Sequence, residues 1–271
     1  MLSIGHKVKV LLWMWGIVGA ACQSISYPEN VNNKVSAELL EAKLSLVMTH
    51  LESNQGDTAL QEIRSLLRES PDAYQVLTVA GVVYLFFSKP QIAIGYLEKA
   101  YKLHPASEVG LNLSAAYLAS HRLSDAKVLL LHLLSDEKYE NRERVYHNLG
   151  VAFEEEGQLA SAEEKYLQSL AENPTYYISH YRLGLIYGKS GKARQAAESL
   201  TKAISFCSAC YEPVQALATL YLEAKQPAKA VSLVAKFLKE QNMPVPIKKE
   251  AQALLSRARS LRSMQTQDDT P

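Results

Sequence analysis

The feature that most constrains this chain is a pattern returning about every 34 residues. From Glu143 it reads Tyr146, Leu149-Gly150, Phe153, Gly157, Ala162, Tyr166 and Pro174. The next segment sets His180, Leu183-Gly184, Tyr187, Gly191, Ala196, Leu200 and Ala203 in the same order, and Val214, Leu217-Ala218, Tyr221, Ala230, Val234 and Phe237 follow. Upstream, Leu77, Ala80-Gly81, Tyr84, Ala93, Leu97, Ala100 and Pro105 match again. Leu113-Ser114, Tyr117, Ala126, Leu130 and Leu133 form a degenerate copy, and a weaker first copy ends in Ala59, Ile63, Leu66 and Pro71. Such a period marks one supersecondary unit that cannot bury its apolar faces alone and stacks on copies of itself. Small residues at fixed places let two antiparallel helices approach, and large ones fill the space between layers. Gly157 and Gly191 supply the turn within a unit, and Pro71, Pro105 and Pro174 end its second helix.

The pattern aromatic-x-x-Leu-Gly-x-x-Tyr with a following Ala resembles the tetratricopeptide repeat over roughly residues 38–240. That resemblance implies an all-α, right-handed solenoid of about six repeats. The segment Ile247 to Leu261, with Ala251, Leu254, Leu255 and Ala258, is expected to cap its end. Composition agrees: Gly 12 and Pro 10 are too few for a turn-dense β protein. Lys+Arg 29 against Asp+Glu 28 leaves no basic excess of the kind nucleic-acid binding requires.

The first 21 residues read as a signal peptide. Lys7 and Lys9 precede the apolar run Val10 to Ala21, which at ~1.5 Å per residue is too short to span a bilayer. Gly19-Ala20-Ala21 before Cys22 resembles the lipobox of bacterial lipoproteins, with Gly19 where Leu is usual. This implies a lipidated Cys22 as mature N-terminus, and Gln23 implies outer-membrane sorting facing the periplasm. Residues 22–36 are expected to form a lipidated tether, 37–240 the repeats, 241–261 the cap and 262–271 a frayed tail.

Catalytic motifs are missing. Gly184-Leu-Ile-Tyr-Gly188-Lys189-Ser190 is one residue short of a phosphate-binding loop and falls within a repeat's first helix. There is no G-x-S-x-G and no H-E-x-x-H, the histidines are scattered over different repeats, and Glu154-Glu155-Glu156 reads as a solvated charge run. No enzymatic activity, no small-molecule substrate and no cofactor or metal are expected, the lipid on Cys22 apart. Cys207 and Cys210 form a C-x-x-C pair open to three readings: a disulfide fastening the turn between the fifth and sixth repeats, free or redox-active thiols, or a zinc site. The disulfide is the expectation, because no further metal ligands are evident and Ser208 stands where other repeats carry proline.

A stacked array of helix pairs offers a groove lined by the first helix of each unit. Counting from the small first-helix residue assigns Met48, Leu51, Val82, Leu85, Phe86, Leu111, Ala115, Leu118, His147, Val151, Tyr181 and Leu185 to its lining, with Leu85, Phe86 and Leu118 as anchors for an apolar partner helix. A clamp for a terminal carboxylate is not expected, since Leu111 and Ala115 fill its cationic and amide positions. The alternative is that these side chains pack between adjacent first helices.

Signal peptide, lipidated cysteine and six repeats together resemble the type IV pilus pilotin lipoproteins, the PilF/PilW/Tgl group. The resemblance implies a scaffold that binds secretin subunits and promotes their outer-membrane localisation and multimerisation. Two alternatives share the layout: an adaptor lipoprotein for peptidoglycan hydrolases or proteases, and an accessory subunit of the β-barrel assembly machinery.

Overall fold

A computed structural model describes residues 31–136, 139–239 and 243–268. The segments read as signal peptide and tether, with Cys22, lie outside the described residues up to residue 30. The chain divides into two units, up to Gln158 and from Leu159 onward. The first contains α1 (Val31–Glu52), α2 (Gly56–Glu69), α3 (Tyr74–Phe86), α4 (Pro90–Leu103), α5 (Ser107–Ala119), α6 (Leu123–Leu134) and α7 (Arg142–Glu155). The second contains α8 (Leu159–Glu172), α9 (Tyr177–Lys189), α10 (Ala193–Phe206), α11 (Tyr211–Glu223), α12 (Pro227–Phe237) and α13 (Val245–Asp268). The architecture is an all-helical solenoid of consecutively packed helix pairs.

The same turn joins the two helices of each pair. Asn54, Ser88, His121, Gly157, Gly191 and Lys225 all adopt a left-handed backbone, with φ of 57°, 55°, 58°, 78°, 71° and 55°. In each case two hydrogen bonds close the preceding helix. Ser88 N–H donates to the Leu85 carbonyl (2.9 Å) and Lys89 N–H to that of Tyr84 (2.9 Å). Lys225 and Gln226 donate in the same way to Leu222 (3.1 Å) and Tyr221 (2.8 Å). This is a Schellman termination, which satisfies carbonyls a helix end would otherwise leave orphaned. The glycine turns at Gly157 and Gly191 are thus two of six, the other four being built with L side chains.

Close approach of paired helices follows from the small residues. Ala59, Ala93, Ala126, Ala162, Ala196 and Ala230 are completely buried. A Cβ added to Gly81 would come within 2.4 Å of Leu97 Cγ, and one on Gly184 within 2.6 Å of Leu200 Cγ. Large side chains such as Ile63, Leu97, Leu130 and Tyr166 are fully enclosed.

Three boundaries differ from the sequence expectation. The first helix begins at Val31, within the segment read as tether. At the other end α13 runs to Asp268, through most of the stretch read as a frayed tail, and starts at Val245 rather than residue 241. Its continuation has a visible anchor, Gln265 Nε2 donating to the Lys225 carbonyl at 3.1 Å. Ala251, Leu255 and Ala258 of α13 are buried on Tyr211, Val214, Ala218, Val234 and Phe237, with Leu254 partly buried beside them. The Cys207 and Cys210 sulfurs are bonded to each other, with Cα atoms 5.4 Å apart, at the end of α10 and the start of α11.

Candidate protein-binding surface

Within the first unit, the first helices of successive pairs pack directly on one another: α1 on α3, α3 on α5, α5 on α7. Their facing sides are apolar and bulky, so they exclude water by closing together. Met48, Leu51, Val82, Leu85, Leu111, Leu118, His147 and Val151 are 0–6% exposed, and Ala115 is buried with them. These residues are therefore buried in the core of the first unit, Leu111 with Leu130 and Leu133 of α6 and Leu118 with Ala126 of α6, and not an open lining, which corrects the groove assignment for all of them. Phe86 is half-buried; it meets Phe87 edge-on (centroids 5.5 Å apart) and covers Gly56 at the start of α2, where a Cβ would sit 2.5 Å from its Cε1. Leu85 and Leu118 are buried and not available as docking anchors, whereas Phe86 keeps part of its surface exposed.

A polar junction replaces the apolar strip at one end of α5. Glu108 accepts a hydrogen bond from Asn141 Nδ2 (2.8 Å) and faces Arg144 Nη1 at 3.6 Å, with Arg144 almost fully buried. Tyr139 is buried beside them. Burial, and then the Glu108 charge, holds its hydroxyl well above the usual phenol range. Asn148 Nδ2 donates to Ser114 Oγ at 3.5 Å, while the buried Asn112 Oδ1 accepts no hydrogen bond among the described residues. The residues of this junction tie α5 to the segment entering α7; sequence reasoning missed them because their partners come from different repeats.

The second unit is built differently. Its first helices α9 and α11 approach each other less closely than those of the first unit. A cleft of about 380 Å³ lies between them, with Leu200 and Ala196 of α10 at its base. From α9 it is lined by Tyr181, Gly184, Leu185, Gly188 and Lys189; from α11 by Glu212, Gln215, Ala216, Thr219, Leu220 and Glu223. Small or polar residues on α11 cannot fill the gap. A Cβ placed on Gly188 would meet nothing within 4 Å, so the cleft is open there. Of the expected groove residues, Tyr181 and Leu185 are thus brought together at an open surface, both half-buried.

The two ends of this cleft differ electrostatically. At the N-terminal end of α11, Glu212 is half-buried and forms no ion pair among the described residues. Burial raises its carboxyl above the usual range, the Glu250 charge of α13 adds to this, and a hydrogen bond from its own backbone N–H opposes it. Tyr177, one helical turn before Tyr181, is pushed up by burial and then by the Glu212 charge. Tyr211 is pushed up to about 12, by burial first and then by Glu250 and Glu212. At the opposite end, Glu223 shares the lining with Lys189. Behind the cleft, His180 is buried; its Nε2 lies 2.9 Å from the Pro174 carbonyl and its ring stacks on Phe206 (centroids 5.6 Å apart). The architecture is generally a non-catalytic one, a scaffold for binding protein segments.

Comparison with known proteins gives the class. A tetratricopeptide-repeat family model matches residues 143–176 and 177–210. The chain carries tetratricopeptide repeats, and its fold is that of a tetratricopeptide solenoid. Among curated proteins, tetratricopeptide repeat protein 8 of Caenorhabditis elegans is 21% identical over 171 residues, 63% of this chain. The chain spans about a third (32%) of that relative's length. Two solved structures are similar nearly end to end. One is PilW, described as a widely conserved type IV pilus biogenesis factor, with a TM-score of 0.63 and 17% identity over 84% of this chain and 100% of PilW. The other is PilF of Pseudomonas aeruginosa, with a TM-score of 0.58 and 19% identity over 80% of this chain and 98% of PilF. At these identities the likeness is one of fold.

Proposed function

We propose that this chain is a lipid-anchored, periplasm-facing scaffold of the outer membrane that binds secretin subunits and promotes their localisation and multimerisation in type IV pilus biogenesis. The observation that carries the proposal is the match to the whole of PilW, a type IV pilus biogenesis factor, and to 98% of PilF, over 84% and 80% of this chain. The lipobox-like Gly19-Ala20-Ala21-Cys22 supports the anchor, because a tethered array concentrates its binding surface at the membrane face. The repeats supply a protein-binding framework, and the chemistry is recognition alone.

The test is Cys22→Ser in the full chain. Lipid labelling should be lost, the protein should leave the outer-membrane fraction, and its circular dichroism should stay helical, since no core position is touched. Secretin multimers should fall in the same cells. Retained membrane fractionation would overturn the anchor, and undiminished multimers in cells lacking the protein would overturn the secretin role.

A further inference from the structure

The cleft between α9 and α11 is an open, walled surface of the second unit that combines apolar lining with a half-buried carboxylate. The helix pair leaves it open through specific residues. Gly188 is exposed inside α9, where glycine weakens a helix and where no neighbour needs the space a side chain would take. Ala216 and Thr219 face it from α11. Apolar wall is provided by Leu185 and Leu200, and Tyr181 stands beside Glu212 at the N-terminal end.

Charge then selects the occupant. Both α9 and α11 are first helices of their pairs and run in the same direction, so Tyr177, Tyr181 and Glu212 cluster at one end and Gly188, Lys189 and Glu223 at the other. Lys189 and Glu223, opposite in charge, line the same end. Glu212 forms no ion pair among the described residues, and the charge that acts on it is that of the Glu250 carboxylate of α13. A half-buried carboxylate that shares its lining with the Tyr181 ring and has a second carboxylate, Glu250, acting on it suits an ammonium or guanidinium group. It gains a charge-assisted contact there, and aromatic faces favour a cation over an anion. An acidic peptide would add a third negative charge to the same end.

We infer that this cleft is a docking site for a partner protein segment that places one Lys or Arg side chain at Glu212 and an apolar side chain over Leu185 and Gly188. The inference rests on the scaffold reading above and gives it a site, distinct from the buried first-helix faces of the first unit. Burial raising the Glu212 carboxyl means that an incoming cation also relieves an uncompensated charge.

The experiment uses the full chain, isotope-labelled and solubilised in detergent, and three acetylated, amidated peptides of leucine, alanine and serine that differ at one position: Lys, norleucine or Glu. The Lys peptide should shift the amide resonances of Gly188, Gln215 and Thr219 and bind at least about fivefold more tightly than the norleucine peptide, the range expected of a partly exposed charge contact. Glu212→Gln should remove that preference while keeping the helical circular dichroism. Gly188→Leu should block all three peptides without unfolding α9, because the added side chain enters open space. Equal binding of the Lys and norleucine peptides, tighter binding of the Glu peptide, or shifts that leave Gly188 and Gln215 unmoved would each overturn the site. Secretin multimerisation in cells carrying Gly188→Leu separates the two ideas: unchanged multimers with lost peptide binding refute the cleft as the scaffold's contact while leaving the scaffold, and absent secretin binding by the wild-type chain refutes the scaffold while the peptide result still decides the cleft.

Discussion

Replacing Ser88, His121 and Lys225 with glycine should stabilise the protein, although glycine within regular structure usually does the reverse. Each of these residues sits at φ between 55° and 58°, where an L side chain brings its Cβ against the following carbonyl. That conformation costs roughly 1–2 kcal/mol for a residue other than glycine or Asn. Glycine returns part of the gain, ~0.4–1 kcal/mol, by loosening the unfolded chain. The net expectation is therefore about 0.5–1 kcal/mol at each site. No buried contact is lost; the His121 Nδ1 to Glu155 ion pair (3.1 Å) involves an imidazole that is 80% exposed and contributes little. The three turns lie in different pairs, so their effects should add to about 2 kcal/mol, or roughly 5 °C in the unfolding midpoint at this chain size. Gly157→Ala and Gly191→Ala form the mirror experiment. Nothing lies within 4 Å of an added Cβ at either position, so any loss reports backbone strain alone. Asn54→Gly should change little, because Asn tolerates the left-handed region. Urea titration followed by far-UV circular dichroism, with the slope checked for constancy, measures each difference. Destabilised Ser88→Gly and Lys225→Gly variants, or Gly→Ala variants as stable as the parent, would refute the reasoning.

Two further outcomes follow from burial. Leu118 is fully buried with Ala126 and Ala152, so Leu118→Ala should cost ~2–5 kcal/mol of stability in urea, whereas a groove-lining leucine would have left stability nearly intact. Burial holds the His180 imidazole below its ordinary value, with the Pro174 carbonyl contact opposing the shift. Between that lowered value and the ordinary one near 6.5 the unfolded chain binds more protons, so stability should rise with pH through this window, and the His180 contribution should level off on either side of it. His180→Phe should flatten the stability profile over pH 5–7, and an unchanged slope would exclude His180 as its source.

The repeat was legible because its signal is steric. Two helices whose axes approach closely need Ala196 or Gly184 at the crossing and Leu200 to fill the neighbouring space, and no other arrangement tolerates that order of sizes. The turns were half legible. At Gly157 and Gly191 the residue announces the conformation, but at Ser88 and Lys225 it is imposed by the two closing hydrogen bonds, which hold the backbone left-handed whatever the side chain. The extent of α13 was hidden for a related reason. Polar residues after Leu261 give no apolar period, and what keeps the helix going is its register along the preceding pair, seen in Gln265 reaching the Lys225 carbonyl.

The binding surface was the least legible part, because whether a first-helix face is groove or core depends on two helices at once. Val82 and Leu111 occupy positions equivalent to Leu185 and Gln215 in their own repeats, yet the first two are buried and the last two border an open cleft. The difference lies in the opposing helix: Val79, Val82, Leu111 and Ala115 are sealed against neighbouring first helices in the first unit, whereas α11 offers Gln215, Ala216 and Thr219 to α9. Closing the second contact would bury the Gln215 amide and the half-buried Glu212 carboxylate without partners, at a cost larger than the small apolar area gained. The helices stay apart because separation keeps those groups hydrated. The same polar residues that prevent closure are therefore the ones left facing an incoming segment, so the unit with the weaker internal contact is the one that exposes a recognition surface.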